Sequence, residues 1–271
     1  MNERHSIRVY PLPAWIDARR LLGPGDYRVS ARGPGLVRAE AELTRAQAAD
    51  VQARLHNVGL GGRAIAVEVE PPLARPEVRR ARTAEARRRR QRSPGFTRAG
   101  AQLDEEARFS LTPEALALAL GRRVQGESVV DATCGAGGNA IGFARAGCSV
   151  TAIESHPARL AMARHNAALY GVADRIRFVA GDARALLPGM RADLLFIDPP
   201  WGRAYDKARV IAADLPLLGE LLAARARVGR IWVKVPPSFD PLSVPGARPE
   251  AWFGVGAGDA HRVKFVLLEL D

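Results

Sequence analysis

The sequence predicts an α/β chain: a parallel sheet with helices on both faces, preceded by a smaller α/β domain. Three observations carry this expectation. From residue 128 onward, apolar strand-length runs alternate with helix-length stretches, and strands separated by helices pair in parallel with both faces covered. Val129 to Asn139 (VVDATCGAGGN) reads as a buried strand entering a helix through a glycine loop, as in a Rossmann-like nucleotide site. Ala192 to Asp198 (ADLLFID) is another apolar strand, and it ends in Asp198-Pro199-Pro200-Trp201. The two motifs are expected at neighbouring strand ends of one sheet.

Taken in order, Ile7 to Tyr10 alternates as a short strand, and Trp15 to Leu22 has an apolar helical face ended by Gly23-Pro24-Gly25. Leu36 to Glu42 suits a strand. Thr44 with Gln47 forms a capping-box pattern for a helix reaching Asn57, and Arg63 to Glu70 alternates as a half-buried strand. Pro71-Pro72 closes this domain. The expected division is therefore a small α/β domain over 1–72, an arginine-rich linker or helix over 73–100, and the main domain over 101–271. Thr112 suits a helix N-cap, Pro113 the first helical position and Glu114 the positive helix end, with the helix running to Gly121. Beyond it the pattern predicts strand 128–132, helix 138–146, strand 149–153, helix 157–170, strands 176–180 and 192–197, helix 208–226 and strand 229–235. Two further apolar stretches end in Val263 to Leu270.

The net charge of +11 is local: residues 1–100 carry 20 Lys and Arg against 10 Asp and Glu, and residues 101–271 carry 20 against 19. Ten arginines between Arg75 and Arg98 face only Glu77 and Glu85. Such a run is either a solvated linker, ordered only on meeting an anion, or an arm that binds a polyanion by displacing counterions from phosphates. The second reading is favoured, with RNA as the partner. No apolar run approaches the roughly 18 residues of a membrane span, and none follows the charged start MNERHSIRVY. Cys134 and Cys148 are too few for a disulfide framework, so a cytoplasmic protein without a membrane partner is expected. His156, His165 and His261 lack metal-ligand spacing with the cysteines, and no metal is expected.

In DATCGAGG, Gly135, Gly137 and Gly138 let backbone N–H groups approach a ligand, and Glu154 at the end of the next strand can accept both hydroxyls of a ribose. Ala140 or Ile141 stands where a dinucleotide fingerprint would have its third glycine, which points to a single nucleoside with a small tail. Asp182, ending the following strand, is placed to bond an adenine amino group. In Asp198-Pro199-Pro200-Trp201, the carboxylate and the Pro199 carbonyl can accept both hydrogens of an exocyclic amine. The prolines stiffen the backbone that holds these acceptors, and Trp201 offers a face for a base. Cys134 reads as a small buried thiol, and Lys234 and Arg203 as surface charges or phosphate contacts.

These residues resemble the RNA cap guanine-N2 methyltransferase (trimethylguanosine synthase) family. The matching stretches are LDEEARFSLTPE (103–114), VVDATCGAGGNAIGFA (129–144), AIESHPARLAMARHNAALYGVADRIRFVAGD (152–182) and ADLLFIDPPWGRAY (192–205). The resemblance implies a class I S-adenosyl-L-methionine (SAM) dependent fold of seven strands with the last antiparallel. It implies that Thr112, Asp131, Glu154 and Asp182 line the SAM pocket, together with Thr133, Cys134, Gly135, Gly137, Asn139, Ser155 and Ala183, and that Trp201 stacks on the target guanine. Asp198 stands where the family usually has Ser, and Trp201-Gly202-Arg203-Ala204-Tyr205 is shorter than the family's run. The expected function is N-methylation of a nucleobase amine in RNA, guanine N2 first. The alternatives are adenine-N6 methylation of RNA or DNA, methylation of a glutamine amide, and an RNA-binding protein that holds SAM without catalysis.

Overall fold

In the computed structural model the described residues are 4–202, 205–224 and 227–271. The N-terminal part of the chain contains β1 (Arg4–Pro13), α1 (Ala18–Leu22), β2 (Arg28–Gly33), β3 (Leu36–Thr44), α2 (Arg45–Leu55), β4 (Gly59–Leu60), β5 (Arg63–Ala64) and β6 (Ala66–Glu70). Four strands pair antiparallel in the order β2-β3-β1-β6, a β-α-β-β-α-β arrangement. Period-two burial sets β1: Ile7 and Val9 are buried, Arg8 and Tyr10 half-buried. Thr44 opens α2 through the expected capping box, its N–H donating to Gln47 Oε1 at 3.0 Å. Strand β2 is an addition to the expected elements, because RVSARG buries no side chain and carries no apolar alternation; its pairing with β3 alone holds it as an edge. The strand expected over 63–70 divides at buried Ile65, whose N–H donates to the Val58 carbonyl at 2.9 Å.

The arginine-rich segment forms α3 (Arg75–Arg88). Its anchor is Glu85, 3% exposed, which ion-pairs with Arg88 and Arg89 at 3.2 Å each and with Arg262 near the C-terminal end of the chain. Arg88 also pairs with Asp50 on α2. Among the described residues Arg75, Arg79, Arg82 and Arg87 make no ion pair. The run thus separates into an inner set that ties α2 to the C-terminal part of the chain and an outer set left to solvent.

The C-terminal part of the chain contains α4 (Ala107–Ser110), α5 (Glu114–Arg122), β7 (Ser128–Asp131), α6 (Gly138–Arg145), β8 (Ser149–Glu154), α7 (Pro157–Leu169), β9 (Ile176–Ala180), α8 (Ala183–Leu186), β10 (Arg191–Ile197), α9 (Pro216–Ala223), β11 (Arg227–Val235), β12 (Arg248–Phe253) and β13 (Val263–Leu270). The seven-stranded order is β12-β13-β11-β10-β7-β8-β9, with β13 antiparallel to both neighbours and the five strands from β11 to β9 mutually parallel. This is the class I methyltransferase sheet. Along β10, Leu194 and Phe196 pack on one face with Leu120, Phe143 and Ala163, while Leu195 and Ile197 pack on the other. That second face shares one continuous core with Ile7, Val9, Leu12 and Leu60 of the N-terminal part. Both faces are dry, so the strand reads as an unbroken apolar run. The order reverses between β7 and β10, and their C-terminal ends flank the switch point where such sheets open a crevice.

Three expectations are corrected. The helix expected over 208–226 is α9, Pro216–Ala223, because a proline inside the run cannot continue a helix begun upstream. Val210 instead bridges to Phe239, and residues 225–226 lie outside the described residues. Thr112 does not cap α5, since Pro113 occupies the cap position without a side-chain bond. Pro113 therefore precedes the first helical position, while Glu114 stands in the first turn as expected and accepts from Tyr170 Oη at 2.5 Å and from Thr97 and Arg145.

Candidate active site

β7 ends at Asp131, and the loop after it turns into α6 at Gly137 (φ +93°), following Gly135 (φ +54°); both occupy backbone conformations that strain other residues. Glu154, at the end of β8, folds back over this loop. One carboxylate oxygen accepts the Gly135 N–H at 3.0 Å and the other accepts the His156 N–H at 2.8 Å. Asp182 caps α8 by accepting the Arg184 N–H at 2.9 Å, and the Arg184 guanidinium then ion-pairs with it and, at 2.8 Å, with Glu220.

The turn after β10 meets the glycine loop directly. The Thr133 hydroxyl accepts the Asp198 N–H and donates to the Asp198 carbonyl, both at 3.0 Å, so one side chain ties the two motifs together. Asn139 Nδ2 donates to Asp198 Oδ2 at 3.0 Å, and Lys234 Nζ reaches the same oxygen at 2.7 Å. Trp201 is half-buried, its indole N–H donating to the Lys234 carbonyl at 3.4 Å and its ring 6.0 Å from that of Tyr205 in an edge-on pair.

A cleft of about 970 Å³ is walled by both motifs: Thr133, Cys134, Gly135 and Asn139 on one side, Asp198, Pro199, Pro200 and Trp201 on the other. Thr112, Glu154, Ser155, Asp182 and Ala183 complete its wall. Two of the expected residues stand behind it. Asp131 is fully buried and Gly137 shapes the helix entry, so neither reaches the cavity. Burial and the neighbouring Asp198 carboxylate push the Asp131 carboxyl up to about 7. Burial also raises Asp198, against the pull of Lys234 and Asn139. The Cys134 thiol is pushed up by burial, which keeps it protonated and in the role of a small apolar side chain.

Lys234 corrects the sequence reading outright. It is 3% exposed, an ion-pair partner inside the site and no surface charge. Nothing local in IWVKV marks it; the signal is register, since Ile197 pairs with Val233 across β10 and β11 and brings the next residue of each strand together. Tyr205, Lys207 and Arg184 also line the cleft, beyond the set expected from sequence. Arg203 lies outside the described residues.

Three buried polar atoms in or behind the cleft wall have no partner among the described residues: Thr112 Oγ1, Asn139 Oδ1 and Asp131 Oδ2. Such atoms each cost about 1–3 kcal/mol unless something bonds them. With N–H groups at one end and the Glu154 and Asp182 carboxylates along the wall, the residues present fit an adenosyl compound. No helix of the described residues is long and apolar enough to cross a membrane, and among them no group of three or more His, Cys, Asp or Glu is placed to hold a metal ion.

Comparison with known proteins places this site in context. The family model for RNA cap guanine-N2 methyltransferase matches residues 126–212. The trimethylguanosine synthase of Schizosaccharomyces pombe is 38% identical over 113 residues, covering 38% of this chain and 47% of that one. The ribosomal RNA small subunit methyltransferase J of Rhodopseudomonas palustris strain HaA2 is 34% identical over 157 residues, covering 51% of this chain and 70% of that one. The chain thus spans about half the length of the first relative and more than two thirds of the second.

Proposed function

Because the chain belongs to the class I SAM-dependent RNA methyltransferases, related to the cap guanine-N2 and ribosomal RNA families, we propose that it methylates an exocyclic amine of a nucleobase in RNA, guanine N2 in structured RNA ahead of adenine N6. The observation that carries this reading is the Thr133 hydroxyl, which holds the glycine loop and the Asp198 turn on one cleft. When bound, SAM supplies an electrophilic methyl group. The loop N–H groups, Glu154 and Asp182 hold the adenosyl portion. Asp198 Oδ1, which has no protein partner among the described residues, and the Pro199 carbonyl accept the two amine hydrogens. That keeps the nitrogen lone pair off the ring and aimed across the cleft. Pro199 and Pro200 fix these acceptors before the substrate arrives, and preorganised dipoles gain most in a site that excludes water. Trp201 stacks on the base. Asp198 would not need to act as a strong base, because the nitrogen would become strongly acidic on gaining the methyl and its proton could pass to water.

RNA is held outside the cleft by the outer arginines of α3. Arg75, Arg79 and Arg82 share one helix face and line a shallow groove with Leu73, Val78 and Ala86. Replacing these three by Ala removes charge without touching the Glu85 anchor. Total-RNA binding should weaken, and its log–log salt slope should flatten by about 0.7–0.9 for each phosphate that is no longer neutralised. An unchanged slope removes α3 from the RNA path.

The reaction is tested by incubating the protein with methyl-labelled SAM and total RNA from a strain lacking it, then digesting the RNA to nucleosides. Label in N2-methylguanosine is expected. Label in N6-methyladenosine would move the assignment to the second base, and label in neither would overturn both. Asp198→Ala should lower transfer on the order of 1,000-fold while the SAM dissociation constant stays within a few-fold; joint loss of both would end the division of roles between the two motifs.

A further inference from the structure

Lys234 belongs to none of the groups assigned above, yet it stands at their centre. Its ammonium donates to Asp198 Oδ2 at 2.7 Å and to the Ser110 carbonyl at 3.2 Å, and lies 5.0 Å from the centre of the Trp201 ring. Ser110 ends α4 and lines the rim of the cleft, so one cation ties together the acceptor turn, the rim and the stacking face. The side chains of Lys234 and Asp198 are 3% and 14% exposed, which leaves water little room to replace either partner. Asn139 completes the set on Oδ2, Oδ1 has no protein partner among the described residues, and Asp198 lines the cleft.

We propose that Lys234 is the positioning residue of the transfer step: it occupies one oxygen of Asp198, turns the other toward the substrate amine, and forms with Asp198 a single neutral unit. The inference rests on the reading of Asp198 as the amine acceptor. A buried ion pair contributes little net stability over an apolar pair of the same size, whereas removing one member strands the other without a partner. Each charge is therefore tolerable only with its partner. The site should lose more when either is removed alone than when both are exchanged for neutral side chains of similar shape.

The experiment is a cycle of full-length proteins: wild type, Lys234→Met, Asp198→Asn and the double variant. Each is assayed with methyl-labelled SAM and total RNA from a strain lacking the protein, SAM affinity is measured by calorimetry, and each is melted. Lys234→Met should lower kcat on the order of 100-fold with the SAM dissociation constant within about threefold of wild type. Adding Asp198→Asn to it should restore kcat by about tenfold or more, instead of compounding the loss. Losses that multiply in the double variant, or a wild-type kcat in Lys234→Met, overturn the proposal. A purely structural lysine would lower SAM binding along with turnover and would give no recovery. If the wild type labels no RNA, the reading of the reaction fails by itself, and the pair is judged from melting. A double variant more stable than Lys234→Met alone supports the unit, and additive destabilisation refutes it.

Discussion

At one end of the cleft, Glu154 lies nineteen residues from Gly135 and spends both its oxygens on backbone N–H groups of its own neighbourhood. At the other end, Asp198 spends one oxygen on Asn139, 59 positions upstream, and on Lys234, 36 positions downstream. The first carboxylate is satisfied by a loop that exists because two glycines permit it. The second is satisfied by side chains that meet only because β10 lies between β7 and β11. Local turns can therefore shape the glycine-loop end of the cleft, while a buried carboxylate at the other end needs a charge brought from elsewhere in the sheet.

This contrast can be broken at either end. The largest effect on SAM affinity should fall on Glu154→Ala, which frees two backbone N–H groups and removes the group assigned to the ribose. SAM affinity should drop on the order of 10- to 100-fold, measured by calorimetry, with kcat at saturating SAM much less affected. A fall in kcat without loss of affinity would mean that the two ends do not work separately. Trp201→Ala should cost about 1–3 kcal/mol of base stacking. It should appear as a raised KM for RNA with SAM affinity nearly unchanged; equal damage to SAM binding would make the indole a structural wedge.

The most specific effect concerns Asp131. Its folded pKa, raised to about 7, exceeds that of the unfolded chain, so the folded state holds the extra proton between about pH 4 and pH 7. Stability should consequently decline as pH rises through that window, reaching the full penalty above it. Asp131→Asn should flatten this decline in melts recorded from pH 5 to pH 8; a variant that keeps the wild-type pH profile would remove Asp131 as the source. Glu114 acts with the opposite sign and in another range. Burial would raise it, but bonds from Tyr170, Thr97 and Arg145 hold it at about 2, so its stabilisation is complete above pH 4.5 and fades only below it.

Much of the fold is legible in the sequence because both sheet faces are buried. Runs such as ADLLFID have no other way to be so apolar, and Thr44 and Gln47 announce α2 by chemistry confined to one turn. Strand β2 is not legible, since an exposed edge leaves no hydrophobic trace. The order of α3 is hidden because the acid that anchors it, Glu85, finds Arg262 across 177 positions. Arg184, paired to both Asp182 and Glu220, is hidden for a similar reason.

The sequence by itself determined the alternation of strands and helices, the glycine loop, the carboxylates at successive strand ends and the stiffened tetrapeptide, because each depends on residues within a few positions of one another. The tertiary structure alone decided that Thr133 closes the loop against the turn, that Asp131 sits behind the wall, and that Lys234 is inside the site. The physical reason is that burial of a charge, and the partner that makes it bearable, are properties of strands lying side by side, and their neighbours are chosen by the packing of the whole sheet.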